Sequence, residues 1–414
     1  MSDARRMQPN RPDEEGYAGV GLTFGRVPLV LEPAGLEGVD VAIVGAPFDD
    51  GVSYRPGTRF GPRAIRNAED VAFPISRPHM ELGIDPYEEL DVVDYGDVDV
   101  RASNLAWSHA ALRRGVAEIL AAGAVPVVLG GDHSLSTPVL EALAERFGAD
   151  GFSVVHFDTH ADTGTDEREA PHGVPFHKAV VDGHLDGRNI VQIGLRGAWP
   201  FPEEFQWMRE AGFQWHTMGE VVERGLSAVV KDAITLARSR APRTYLTVDV
   251  DVLDPAFAPG TGTAEPGGLM TRELLWAVRT VAAELDLCAM DVVEVSPPYD
   301  PAGITALAAQ RVVLETLSGI ALRRSGRPAR PERPRRARPE RRARRELAEA
   351  PAAGRYATRP PAPPATPAAG RKTRPGRRSR RPGTTPARRR RHREPTAARS
   401  RTAEPPARSP GRSR

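Results

Sequence analysis

Six short runs rich in Val, Ile and Leu recur along residues 30–324, with helical patterns between them. They are VDVAIVGAPF (39–48), AVPVVLGG (124–131), FSVVHFD (152–158), NIVQIGL (189–195), TYLTVDV (244–250) and LCAMDVVEV (287–295). Runs this short, with apolar residues at successive positions and Gly, Pro or Asp at their ends, read as strands buried on both faces. NLAWSHAALRRGVAEILAAG (104–123), STPVLEALAERFG (136–148), TRELLWAVRTVAAEL (271–285) and GITALAAQRVVLETLSGIALRR (303–324) space apolar residues three and four apart, as helices do. Ser136 and Thr271 are expected N-caps. The alternation predicts an α/β fold: three layers, α/β/α, around a central parallel sheet.

In an open sheet of this kind, ligands gather where the carboxyl ends of the strands emerge. Acids and histidines stand at those ends here. GGDHS places Asp132 and His133 after one strand, and HFDTHAD places Asp158, His160 and Asp162 after the next. DVDVLDP places Asp249, Asp251 and Asp254 after a third, and MDVVEVSPP places Glu294 after a fourth. In an extended segment residues i, i+2 and i+4 share a face, so Asp158, His160 and Asp162 point the same way. Carboxylates and imidazoles crowded together need a positive partner, and a divalent metal is the simplest one. His133, Asp158, His160, Asp162, Asp249 and Asp251 suffice for two metals if some carboxylates bridge. Four carboxylates and two imidazoles suit Mn²⁺ better than a thiolate-bearing zinc site.

The charge of the chain divides sharply. Residues 321–414 hold 31 Arg plus Lys against 6 Glu, whereas residues 1–320 hold 26 basic and 48 acidic side chains. The acidic part carries all the strand and helix patterning. Beyond Arg324 the only large apolar or aromatic side chains are Leu347 and Tyr356. Such text cannot bury enough surface to offset its ordering entropy, so residues 325–414 are expected to be a disordered Arg/Pro/Ala-rich tail. Residues 1–17 are expected to be flexible, leaving one folded domain over 18–324. Cys288 is the only cysteine, which excludes an intrachain disulfide. The first twenty residues lack the apolar core of a signal peptide, and no run of about 18 apolar residues suggests a membrane span. A cytoplasmic protein is the expectation.

With these motifs assembled, the chain resembles the ureohydrolase family of agmatinases and arginases, over residues 18–324. The family's metal motifs stand here as GGDHS (130–134), DTHAD (158–162) and DVDVLDPAFAPGTGTAEPGG (249–268), in the correct order. GVSYRPGTRFGPRAIR (51–66) is similar to the amino-terminal fingerprint of the agmatinase branch. The resemblance implies an arginase-like fold and assigns His133, Asp158, His160, Asp162, Asp249 and Asp251 to a pair of manganese ions per subunit sharing a bridging water. Hydroxide formed there attacks the guanidinium carbon, and collapse releases an amine and urea. Asp162 matches the residue orienting that hydroxide, Glu294 the acid that receives the guanidinium, and His172 the proton shuttle. The family also implies a trimer or hexamer. Thr247 departs from it where Ser is frequent.

Substrate choice turns on the loop TGTDEREAP (163–171). Arginases hold their substrate's α-carboxylate with an Asn two residues beyond the last Asp; Gly164 stands in that place. The interval from Asp162 to His172 equals that of agmatinases. Asp166, Glu167 and Glu169 repel a carboxylate and attract an amine. The expected reaction is therefore hydrolysis of agmatine to putrescine and urea, a step of polyamine biosynthesis and arginine metabolism. A guanidino-acid hydrolase acting on 4-guanidinobutyrate or 3-guanidinopropionate is the alternative.

Other residues have plainer readings. His156 is expected to be a packed core histidine, and His177 and His184 pocket-wall or surface groups. Asp132 and Asp254 are read as supports of the ligands, with turn residues as the alternative, and Cys288 is expected to be a small buried apolar residue. Trp199, Trp207 and Trp215 are scattered as core or interface residues are. The tail, with RRARPERRARR (335–345), offers nonspecific nucleic-acid binding through phosphate neutralisation. It also has the composition of a GC-rich gene read in another frame. A non-catalytic metal-binding scaffold is the remaining alternative; the intact set of acids and histidines argues against it.

Overall fold

The computed structural model describes residues 23–68, 78–165, 170–198 and 200–327. The expectations for the amino-terminal 1–17, for the tail from 328 onward, and for Asp166, Glu167, Glu169 and Trp199 lie outside the described residues. Eight strands form one sheet: β1 (Val41–Ala46), β2 (Val92–Asp97), β3 (Val125–Gly130), β4 (Phe152–Phe157), β5 (Ile190–Leu195), β6 (Gln214–Thr217), β7 (Arg243–Asp249) and β8 (Leu287–Val293). Their order is β2-β1-β3-β8-β7-β4-β5-β6. Every pairing is parallel, as the continuous apolar runs predict.

Helices, numbered in chain order from α1 (Gly61–Asn67) and α2 (Pro86–Glu89) and including the short α6 (Pro202–Ala211) and α7 (Met218–Arg224), cover both faces. Leu112 and Val116 of α3 (Leu105–Ala121), Leu140 of α4 (Ser136–Phe147) and Phe176 of α5 (Pro175–Val181) pack with Val44, Val128 and Val154 of the sheet. On the other face, α8 (Leu226–Arg240), α9 (Thr271–Glu284) and α10 (Ile304–Ser325) bring Val229, Leu274, Val278 and Leu317 against Val127, Val155 and Leu246. Neighbouring residues such as Val127 and Val128 thus serve opposite cores, the period-two alternation of a strand buried twice. By length and composition alone α10 could cross a membrane, but 83% of its apolar window is buried in this domain, where its apolar surface is already used.

Two strands, β2 and β6, were not among the six apolar runs, and both lie at sheet edges. An edge strand has one neighbour and need not be apolar on both faces. β2 accordingly contains the buried Asp94, whose charge is met by Arg66 at 2.8 Å. The expected caps are each one residue out. Ser136 is the first residue of α4, and its hydroxyl turns to Tyr245 and Asp291 at 3.0 and 3.2 Å. Met270 precedes α9, and Glu273 reaches back to accept its N–H at 2.9 Å.

The sheet order decides where the chemistry falls. The four strands that end in acids and histidines are β3, β8, β7 and β4, and they are consecutive in the middle of the sheet. Motifs far apart in sequence therefore emerge side by side, at the place where an open parallel sheet collects its ligands.

Candidate metal centre and active site

Each site residue sits just past the end of a strand. After β3, Gly131 passes so close to β1 that an added Cβ would meet the carbonyl oxygens of Ala46 and Phe48 at 2.4 and 2.6 Å. Only glycine fits there, which explains the Gly before Asp132 and His133. After β4, the turn puts Asp162 at φ +52°, a left-handed conformation that Asp tolerates better than most residues. After β8, Glu294 lies at φ +64°, a costlier position for a longer side chain and a mark of a site held against local preference.

The side chains converge on two points. His133 Nδ1 lies 3.0 Å from Asp158 Oδ2, 2.9 Å from Asp162 Oδ2 and 3.4 Å from Asp249 Oδ2. His160 Nδ1 lies 3.1 Å from Asp251 Oδ2 and 3.5 Å from Asp158 Oδ1. The two oxygens of Asp158 thus face the two groups, the placement of a bridging carboxylate. His133 Nδ1 is buried and makes no aligned hydrogen bond despite three oxygens nearby. Donor atoms that crowd together without hydrogen-bond alignment are aimed at a common cation, so these residues fit a pair of divalent ions.

Electrostatics agree with that fit. Burial and the charges of Asp251 and Asp158 push the Asp249 carboxyl well above its ordinary range. Burial, with Asp158 beside it, raises Asp251 to about 6. Burial opposes the cationic form of both histidines, yet the surrounding carboxylates hold His133 and His160 well above the usual histidine range. The polypeptide alone is short of positive charge here, and divalent cations would replace those protons.

A buried frame orients the ligands. His133 Nε2 meets Thr247 Oγ1 at 3.1 Å. Asp158 Oδ2 meets His156 Nε2 at 2.8 Å, and His156 Nδ1 accepts from Gln192 at 3.1 Å. His156 therefore does more than pack: it fixes one oxygen of the shared carboxylate. Asp249 Oδ1 accepts the Asp251 N–H at 2.8 Å. Arg196 donates to the backbone carbonyls of six residues, among them Asp251, Val252 and Leu253, and so pins the turn that carries Asp251. Asp254 does not support a ligand. It accepts N–H groups from Ala256 and Gly267 at 2.9 and 2.7 Å and is a turn residue.

Glu294 and His172 stand beside the cluster. Glu294 Oε1 accepts the His133 N–H at 2.9 Å and faces His172 Nδ1 at 3.0 Å. Its other oxygen, Oε2, is buried and has no hydrogen-bond partner among the described residues. A Cβ added to Gly262 would lie 3.7 Å from that oxygen, so the glycine keeps the space before it open. Gly164 donates its N–H to Gly173 O at 2.9 Å, closing the short loop that returns His172 to the site. Burial disfavours the imidazolium of His172, but the hydrogen bond and charge of Glu294 outweigh it and raise the pKa to about 9.

The structure thus brings together His133, Asp158, His160, Asp162, Asp249, Asp251, His172 and Glu294. His177 packs against the Trp207 ring, its centroid 4.5 Å away, and Cys288 is buried. Sequence reasoning missed the segment 51–55. Ser53 contacts His172, and the half-buried Arg55 guanidinium lies 5.1 and 5.2 Å from the ring centroids of Tyr54 and Tyr299. The fingerprint GVSYRPG was the available signal, and nothing in it says which strand end it covers.

The Arginase family model matches residues 39–319. The chain belongs to the arginase family. It is 39% identical to a guanidinobutyrase of Pseudomonas aeruginosa over 76% of this chain and 97% of that one. It is 40% identical to an agmatinase of Chromobacterium violaceum, over 73% and 89% of the two chains. The solved proclavaminate amidino hydrolase of Streptomyces clavuligerus superposes with a TM-score of 0.67 at 36% identity, covering 74% of this chain and 99% of that one. As a member of this family the protein is a hydrolase acting on guanidino compounds.

Proposed function

We propose that the protein uses two manganese ions to hydrolyse agmatine to putrescine and urea. The observation that carries this reading is Glu294 Oε2, a buried carboxylate oxygen without a partner, facing space kept open by Gly262 beside the His/Asp cluster. A planar guanidinium is the cation whose fork of N–H donors suits such an acceptor. His133, Asp158, Asp162 and Asp249 would hold one ion, and His160, Asp158, Asp249 and Asp251 the other. Oxygen-rich donors favour manganese over zinc. When bound, such a pair supplies a water acidic enough to attack at neutral pH and stabilises the developing charge.

The chain's own residues do the rest. Glu294 seats the guanidinium and fixes its plane. Asp162 accepts a hydrogen bond from the attacking water and so aims it. His172 holds a proton on Nδ1, directed at the Glu294 seat, where the leaving nitrogen needs one. The sequence of the 164–173 loop has no Asn or Gln side chain to meet an arginine carboxylate, which favours a substrate without that group.

A short ω-guanidino acid is the second reading, and Arg55 is the observation that favours it. Its half-buried guanidinium has no carboxylate partner among the described residues, although its backbone lies beside Gly262 and Glu294. A substrate carboxylate would complement that cation. Urea release with Mn²⁺ over agmatine, arginine, 4-guanidinobutyrate and 3-guanidinopropionate tests both readings. Agmatine is expected to be turned over, with arginine slower by at least about 100-fold for want of a partner for its carboxylate. Preference for a guanidino acid would select the second reading, and preference for arginine would defeat both.

A further inference from the structure

Residues 51–53 clasp His172 on the side away from Glu294. Asp132 Oδ2 accepts the Gly51 N–H at 2.8 Å, and Gly51 O accepts the His172 N–H at 3.1 Å. Ser53 then brings two groups to the imidazole: its backbone N–H lies 3.1 Å and its Oγ 2.8 Å from Nε2. Among the described residues these are the hydrogen-bond contacts of Nε2, and Nδ1 faces Glu294 Oε1. We propose that Ser53 is a positioning residue that keeps a proton on His172 Nδ1, turned toward Glu294, in both the neutral and the charged imidazole.

The argument rests on what each group can donate or accept. A neutral imidazole carries one N–H, and which nitrogen holds it is set by the neighbours. The Ser53 amide can only donate, so a lone pair is favoured on Nε2 and the proton goes to Nδ1. Glu294, an acceptor, works in the same direction. A charged imidazole is a donor at both nitrogens, and the amide then opposes the Nε2 proton. A hydroxyl resolves this by rotating, because it donates to a bare Nε2 and accepts from a protonated one. Among the described residues the largest titratable influences on the ring are Glu294, Asp162 and Asp132, all acids that favour the charged form, and of these Glu294 contacts the ring, at Nδ1. Ser53 itself is exposed, so its side chain can be changed without disturbing the core.

The inference rests on the hydrolytic reading only for its kinetic arm. Ser53→Ala and Ser53→Thr would be compared with the full chain, manganese-loaded, for kcat, KM and the pH profile. Without the hydroxyl, the charged ring loses its acceptor while the opposing amide remains. Ser53→Ala is therefore expected to keep its manganese and KM, to lose kcat on the order of 10-fold, and to move the His172 limb to lower pH by about one unit, the effect of one hydrogen bond to a charged group. Ser53→Thr restores both. Imidazole ¹⁵N–¹H spectra of the chelated protein should show Nδ1–H in the neutral wild type and the same downward shift in Ser53→Ala. An alanine variant with wild-type titration and kcat, or a threonine variant that restores neither, overturns the proposal. The expected spectra in a wild type that releases no urea would instead reject the hydrolytic reading and leave the positioning role standing.

Discussion

A single carboxylate illustrates how this site works at the residue scale. Glu294 is buried, twisted to a positive φ, and given work at only one of its two oxygens. In the proposed reading that cost is tolerated because the other oxygen receives the substrate's guanidinium. His172 depends on the same residue, since Glu294 holds its Nδ1 at 3.0 Å. The proposed account places His172 outside both ion sites, so His172→Ala should lower kcat on the order of 100-fold, as lost general acids do, with manganese content unchanged. Metal analysis beside steady-state kinetics checks this, and loss of manganese would make His172 a ligand instead.

At the scale of elements, the central strands and their endings could be read from the sequence because burial on two faces leaves continuous apolar runs. The edges could not. β2 carries Asp94 and Asp97, and β6 is the four residues Gln214–Thr217, so neither shows the pattern of a buried strand. The six ligand candidates were legible because carboxylates and imidazoles recur at one kind of place. Their supports were not: Arg196 acts through backbone carbonyls, and no side-chain motif announces such a contact. His156 was legible only as a core residue, because its bond to Asp158 depends on the turn that follows β4. Arg196 leads to a prediction at this scale. Arg196→Lys removes the fork that ties the turn after β7 to the segment at Glu265 and Pro266. The ion proposed at Asp251 should then bind 10–100-fold more weakly, on the order seen for other groups that orient metal ligands. Calorimetric manganese titration checks it, and two unchanged binding steps would show that the turn holds itself.

Across the whole molecule, the acidic centre should make stability depend on pH and, if it binds the proposed ions, on metal. Asp251 is raised to about 6 and Asp132 to about 7, chiefly by burial. His172 is raised to about 9, where Glu294 overcomes burial. A group with a raised folded pKa binds protons more tightly in the folded state, so its contribution is present below the unfolded pKa and lost as pH rises through the folded one. The chelated protein should therefore lose stability as pH rises from about 4 to 9. Manganese should reverse that slope, because it binds the deprotonated donors. Thermal unfolding across that range, with chelator and with manganese, checks this; parallel profiles would mean that the cluster does not bind the ion. The most direct test combines metal counting with turnover, in the wild type and in Asp251→Ala. The wild type should bind two manganese ions per chain and release urea from agmatine, while Asp251→Ala binds one and loses most of its turnover. Undiminished urea release by the chelated wild type, or an Asp251→Ala variant with both ions and full activity, would contradict the account.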